Sequence, residues 1–128
     1  DIVPIRSVNQ GHTAAELVRI YRACKIALVT PLRDGMNLVA KEYVAVQDPG
    51  DPGVLILSRF AGAAQQLDAA LLVNPYSPDD IAHNIQQALE MHPDERRERW
   101  ERLIVTVRED NVQRWTESFT GDLASVQR

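Results

Sequence analysis

Apolar and polar positions along this chain follow two different periods, and the switches between them predict its elements. Residues 26–30 (Ile-Ala-Leu-Val-Thr) and 54–58 (Val-Leu-Ile-Leu-Ser) are short continuous apolar runs that read as buried strands. Residues 2–6 read as a further strand, with Pro4 tolerated near its start or at an edge. Residues 70–73 read as a short last strand. Between the runs the period lengthens. Leu17, Ile20, Tyr21 and Cys24 fall at i, i+3, i+4 and i+7, which predicts a helix with one apolar face, Cys24 being a small buried residue at its end. Thr13-Ala14-Ala15-Glu16 is a capping-box pattern, so Thr13 is its expected cap and Ala23 its end. Residues 37–47 predict a second helix, with Leu38, Val39, Tyr43 and Val46 along one packed flank. Asp48-Pro49-Gly50-Asp51-Pro52-Gly53 stops that helix. Residues 59–64 form a Gly/Ala-rich turn leading into a short helix that ends near Leu67.

After Asn74-Pro75-Tyr76 the texture becomes helical. Ser77 is an expected cap with Pro78 at the first helical position, and the helix runs to about Met91. His92-Pro93 breaks it. A charged helix then runs to about Arg108, with Trp100, Leu103, Ile104 and Val107 on one face. Asp110-Asn111 is read as the start of a separate last helix, with Trp115, Phe119, Leu123 and Val126 on its apolar side. The sign alternation over residues 94–102 reads as a solvated face.

Strand and helix alternate through residue 75, which implies a parallel sheet. Four strands are visible, against about six in a complete doubly wound domain. The expected fold class is α/β, a partial Rossmann-like domain with a C-terminal helical tail. Residues 1–78 would form the half-domain and residues 79–128 further helices of the same domain.

Composition narrows the function. The chain has 128 residues and a net charge of −4, so it lacks the basic surplus that a phosphate backbone demands, and nucleic acid is an unexpected partner. No apolar run approaches the roughly 20 residues that span a bilayer. Cys24 is the single cysteine, which excludes an internal disulfide and fits a reducing, cytoplasmic setting. His12, His83 and His92 lack metal-ligand spacing, so no metal site is expected. The chain opens in a strand-like run with no initiating Met, which suggests a fragment.

The chemistry concentrates at the junction of residues 31–42, Pro-Leu-Arg-Asp-Gly-Met-Asn-Leu-Val-Ala-Lys-Glu. It joins a buried strand to a helix through a turn containing Gly35. Ligands of open parallel sheets bind outside the carboxyl ends of the strands. The first amides of the helix are free donors there, and the helix dipole favours an anion in front of them. Asp34 and Glu42 add carboxylates, each able to accept two hydroxyls of a sugar diol. Amides for phosphate and acids for hydroxyls suit a sugar nucleotide. The blander roles are a turn former for Asp34 and a solvated helix acid for Glu42. Lys41 reads equally as a solvated lysine or one near the site, and Arg33 as a source of positive potential or an ion-pair partner.

Residues 29–43, from Val29-Thr30-Pro31-Leu32-Arg33-Asp34-Gly35 to Tyr43, closely resemble the donor-site motif of the trehalose-6-phosphate synthase family. The likeness continues through Asp48-Pro49, residues 53–58, Phe60-Ala61-Gly62-Ala63-Ala64, Val73-Asn74-Pro75-Tyr76 and residues 111–123 with Trp115 and Phe119. The resemblance implies a retaining glycosyltransferase with two facing Rossmann-like domains, the GT-B arrangement, of which this chain would be the distal part of the C-terminal, donor-binding domain. Such enzymes move glucose from a nucleotide donor, usually UDP-glucose, to glucose-6-phosphate, with no cofactor and no metal on the diphosphate. The final helix of the family crosses back to brace the N-terminal half.

By the same resemblance, Asp34 holds hydroxyls of the donor glucose, with the backbone after Gly35, at Met36 and Asn37, contacting the same sugar. The amides of Leu38 and Val39 hold the diphosphate. Glu42 clamps the ribose diol. The loop around His12 reads the base, although the family usually has an aromatic residue there. Arg59 stands where relatives carry Glu or Gln and reads as surface variation. The family's catalytic Arg and Lys, which neutralise the leaving diphosphate, lie upstream of residue 1, as does the acceptor half. The expectation is that these residues alone do not turn over. The sequence leaves two alternatives open. One is a cyclitol-joining pseudo-glycosyltransferase of the validoxylamine phosphate synthase type. The other is a non-catalytic module that binds sugar nucleotide or a partner, with an apolar docking surface that would make it prone to oligomerise.

Overall fold

A computed structural model of the chain describes residues 13–32 and 38–126, for residue 14 and residues 110–126 as backbone only. The elements follow in the order α1 (Ala14–Ala23), β1 (Ile26–Val29), α2 (Leu38–Ala45), β2 (Val54–Ser58), a 3-10 turn (Gly62–Gln65), β3 (Leu71–Val73), α3 (Pro78–Glu90) and α4 (Pro93–Val126). The three strands form one parallel sheet in the order β1-β2-β3. The predicted strand at residues 2–6 lies outside the described residues.

Local signals place most boundaries. The Thr13 hydroxyl accepts the Glu16 amide at 3.2 Å and starts α1. The Ser77 hydroxyl accepts the Asp80 amide at 3.2 Å, with Pro78 in the first turn of α3. His92 and Pro93 separate α3 from α4, as the sequence predicts. The short helix expected before Leu67 is instead the 3-10 turn.

The largest departure is α4. The predicted break near Asp110 is absent, and one helix runs from Pro93 to Val126. Asp110 and Asn111 are good cap residues, but capping requires the chain to arrive in an extended conformation. No Pro occurs after Pro93, so nothing forces it out of the helix there.

Strand β2 organises the core. All five of its residues are buried, and its side chains alternate between two layers. Leu55 and Leu57 pack with Tyr43 and Val44 of α2 and with Trp100, Leu103, Ile104 and Val107 of α4. Val54 and Ile56 pack with Leu71, Val73 and Ala88, flanked by Ile81 and Ile85 of α3. Strand β2 is thus covered on both faces, as a central parallel strand is. The Trp100 indole N–H donates to the Val44 carbonyl at 3.0 Å and ties α4 to α2. Arg96 reaches Asp51 at 2.9 Å and the Pro52 carbonyl at 3.0 Å, and Arg99 reaches the Ala69 carbonyl at 2.9 Å. Two arginines of the supposedly solvated run therefore anchor α4 to loops.

Three expected burial patterns are corrected. Strand β1 is half-buried, and Leu28 is 46% exposed. Among the described residues β1 pairs only with β2, so one of its edges carries no strand. Cys24 is exposed, because it caps the end of α1 at the surface. Ile20 is also exposed. On α2 the packed side chains are Ala40, Lys41, Tyr43 and Val44, while Leu38 and Val39 are exposed. The helix meets α4 and β2 with a face rotated from the predicted flank, and Lys41 is buried rather than solvated.

Candidate functional site

The junction to which the sequence assigns the chemistry connects β1 to α2. Strand β1 ends at Val29, and α2 opens at Leu38. Asp34, Gly35, Met36 and Asn37 lie outside the described residues, as do Arg33 and His12. Leu38 and Val39 form the first turn of α2, and their side chains are exposed. Their amides are among the donors that a helix start leaves without intrahelical acceptors. No acidic residue occupies the described first turn to compete with an incoming anion.

Glu42 follows one turn later and is exposed. It stands at one wall of a cleft of about 230 Å³ between α1 and α2, lined also by Leu17, Val18, Tyr21 and Val46. The apolar walls and one acid make a slot that accepts an apolar body with hydroxyls at one end. The Tyr21 hydroxyl donates to Glu42 Oε2 at 3.5 Å. Partial burial raises the Tyr21 phenol above its ordinary range, and the charge of Glu42 and the hydrogen bond to it act in the same direction.

Helices α1 and α2 are tied together near their C-terminal ends. Arg22 Nε donates to the Val46 carbonyl at 2.6 Å. The Tyr43 hydroxyl donates to the Cys24 carbonyl at 2.7 Å. Gln47 Nε2 donates to the carbonyls of Tyr21 at 3.2 Å and Tyr43 at 3.0 Å, while its Oε1 accepts the Gly53 amide at 2.9 Å. The Tyr21 and Tyr43 rings meet edge to face, with centroids 6.1 Å apart.

A second group of polar contacts lies at the ends of β2 and β3. Ser58 is fully buried, and its hydroxyl accepts the Phe60 amide at 3.1 Å. Asp80 accepts the Asn74 amide at 2.8 Å and lies 3.8 Å from the Arg59 guanidinium. Arg59 is therefore a surface residue with an acidic neighbour. Among the described residues no three His, Cys, Asp or Glu side chains gather to hold a metal ion. No helix of the described residues is long and apolar enough to cross a membrane.

Sequence reasoning named Leu38, Val39 and Glu42 but missed Tyr21 as a polar neighbour of Glu42. The available signal was a tyrosine on a helix face, whose hydroxyl needs a partner when the ring packs.

A parallel sheet whose central strand is covered on both faces, with a helix that starts after the C-terminal end of β1, is a frame on which α/β proteins bind ligands. The chain belongs to glycosyltransferase family 20, whose model matches residues 1–125. It is 50% identical over 123 residues to the trehalose-6-phosphate synthase of Sodalis glossinidius, covering 96% of this chain and 26% of that protein. A solved UDP-forming alpha,alpha-trehalose-phosphate synthase from Burkholderia xenovorans, in complex with glucose-6-phosphate, is 50% identical with a TM-score of 0.82, covering 91% of this chain and 26% of that one. A solved E. coli relative bound with UDP-2-fluoro glucose is 49% identical with a TM-score of 0.82, again covering 91% of this chain and 26% of that one. The chain thus spans about a quarter of the length of the relatives it matches, and its fold is a partial domain of the GT-B type.

Proposed function

We propose that this chain is the donor-binding part of a retaining glucosyltransferase that passes glucose from UDP-glucose to glucose-6-phosphate. The observation that carries the reading is the exposed Glu42 one turn into α2, the helix that follows β1. Its support is the family membership, together with relatives bound to a UDP-sugar analogue and to glucose-6-phosphate.

In this reading Asp34 and the backbone at Gly35, Met36 and Asn37 hold the transferred glucose. The Leu38 and Val39 amides hold the diphosphate, and Glu42 accepts both ribose hydroxyls. Because the amides and the helix dipole carry the phosphate charge, the reading requires no metal. The loop around His12 reads the base. Residues 1–78 supply the donor pocket, and residues 79–128 are further helices of the same domain. Neutralisation of the departing diphosphate and the acceptor pocket belong to parts of the family's fold outside these residues. The single exposed cysteine suits a reducing compartment, and the proposed setting is the cytoplasm.

Calorimetric titration of the folded chain with UDP-glucose, and in parallel with GDP-glucose, tests the donor site. Saturable UDP-glucose binding that weakens in Glu42→Gln supports it, and equal binding by the two proteins rejects it. Release of UDP by this chain alone, with glucose-6-phosphate present, would show that these residues suffice for turnover and are more than a donor-binding part.

A further inference from the structure

We propose that Tyr21 is a positioning residue for Glu42: its phenol holds Oε2 of the carboxylate, leaving Oε1 and the remaining lone pairs to accept the hydroxyls of a bound nucleoside. The proposal rests on the donor-site reading above and adds a residue that the motif at residues 31–42 does not contain.

The two side chains differ in how firmly they are held. Glu42 is exposed on α2, and an exposed glutamate loses rotamer freedom when it grips a ligand. Tyr21 is already fixed. Its ring packs edge to face on Tyr43, which is buried against β2 and α4. Its carbonyl accepts Gln47 Nε2 at 3.2 Å, and Arg22 next to it is tied to the Val46 carbonyl at 2.6 Å. Helical side chains lean toward the N-terminus of their own helix. The Tyr21 phenol therefore leans toward the Thr13 end of α1 and reaches the carboxylate of Glu42, at 3.5 Å. The cleft that opens from this pair is lined by Leu17, Val18 and Val46, so water has few polar wall atoms to hold. A rigid donor on one carboxylate oxygen selects one orientation of Glu42 before the ligand arrives. It takes one of the roughly four acceptor positions of the carboxylate and so does not compete with a diol. Contacts of this kind are often long before a ligand is bound and tighten with it.

The test uses Tyr21→Phe, which keeps the ring and its packing and removes only the hydroxyl, with UDP as the titrant. UDP affinity is expected to fall about three- to tenfold. Glu42→Ala is expected to lower it at least as much. The double variant should bind no more weakly than Glu42→Ala, because the phenol acts only through the carboxylate. A readout without ligand accompanies these. The ring-carbon resonance of isotope-labelled Tyr21, identified by its loss in Tyr21→Phe, should titrate at lower pH once Glu42→Gln removes the neighbouring charge. The proposal is overturned if Glu42→Ala weakens UDP binding while Tyr21→Phe leaves it unchanged, if the two losses add in the double variant, or if the Tyr21 titration ignores Glu42→Gln. UDP that does not bind the folded chain, or binds Glu42→Ala as tightly as the parent, overturns the donor-site reading itself and the proposal with it.

Discussion

The Tyr43 hydroxyl lies over Gly53 so closely that a Cβ at Gly53 would stand 1.9 Å from its oxygen and 2.8 Å from the Lys25 carbonyl. Gly53 is needed for this approach and not for a left-handed backbone, since no described glycine has a positive φ. It directly precedes β2, and the Val54 amide donates to the same Lys25 carbonyl at 2.8 Å. The missing side chain is what lets α1, α2 and the start of β2 converge. Gly53→Ala is therefore expected to destabilise the fold by about 2–3 kcal/mol in urea denaturation. Adding Tyr43→Phe removes the closest clash, so the pair should cost less than the sum of the two single changes. Unchanged stability in Gly53→Ala would contradict the packing.

Tyr43 spends its hydroxyl on the Cys24 carbonyl, and Tyr43→Phe leaves that carbonyl without it, at an expected cost of about 1–2 kcal/mol. Burial pushes the Tyr43 phenol well above the ordinary value of 10.0; the nearby Cys24 adds to the rise and Arg96 opposes it. The folded state thus keeps its proton where the unfolded chain loses it. Stability is unaffected by this group below about pH 10 and falls as the pH rises beyond it. Denaturant midpoints measured across that window should decline in the parent and decline less steeply in Tyr43→Phe. Some slope should persist, because the Tyr21 phenol is raised as well.

Gln47 is buried, and its one amide serves the carbonyls of Tyr21 and Tyr43 and the amide of Gly53. An apolar replacement of similar length leaves these groups short of partners in a dry place. Gln47→Leu is expected to cost about 2–4 kcal/mol in thermal or urea unfolding, more than a typical surface change. A neutral result would mean that water takes over the three bonds.

Much of the architecture was legible because it depends on near neighbours. Thr13, Ser77-Pro78 and His92-Pro93 act within a turn of chain, and each marks a boundary where the sequence placed it. The uninterrupted apolar run at residues 54–58 predicts a strand covered on both faces, and β2 is that strand. The apolar run followed by a helical pattern likewise announces a strand leading into a helix, and β1 and α2 are that pair, with Leu38 and Val39 in the first turn of α2 and Glu42 one turn on. What local pattern could not decide is which side of an element meets a partner. The apolar run at residues 26–30 looks as buried as β2, yet β1 is half-exposed, because burial depends on what lies against it. Helix α2 offers apolar residues over most of its circumference, and the positions of α4 and β2 chose Ala40, Tyr43 and Val44 over Leu38 and Val39. Asp110 and Asn111 look like a helix start, but with no proline to interrupt it α4 continues through them. The approach of Tyr21 to Glu42 joins residues 21 positions apart on two helices, and only the packing of α1 on α2 brings them together.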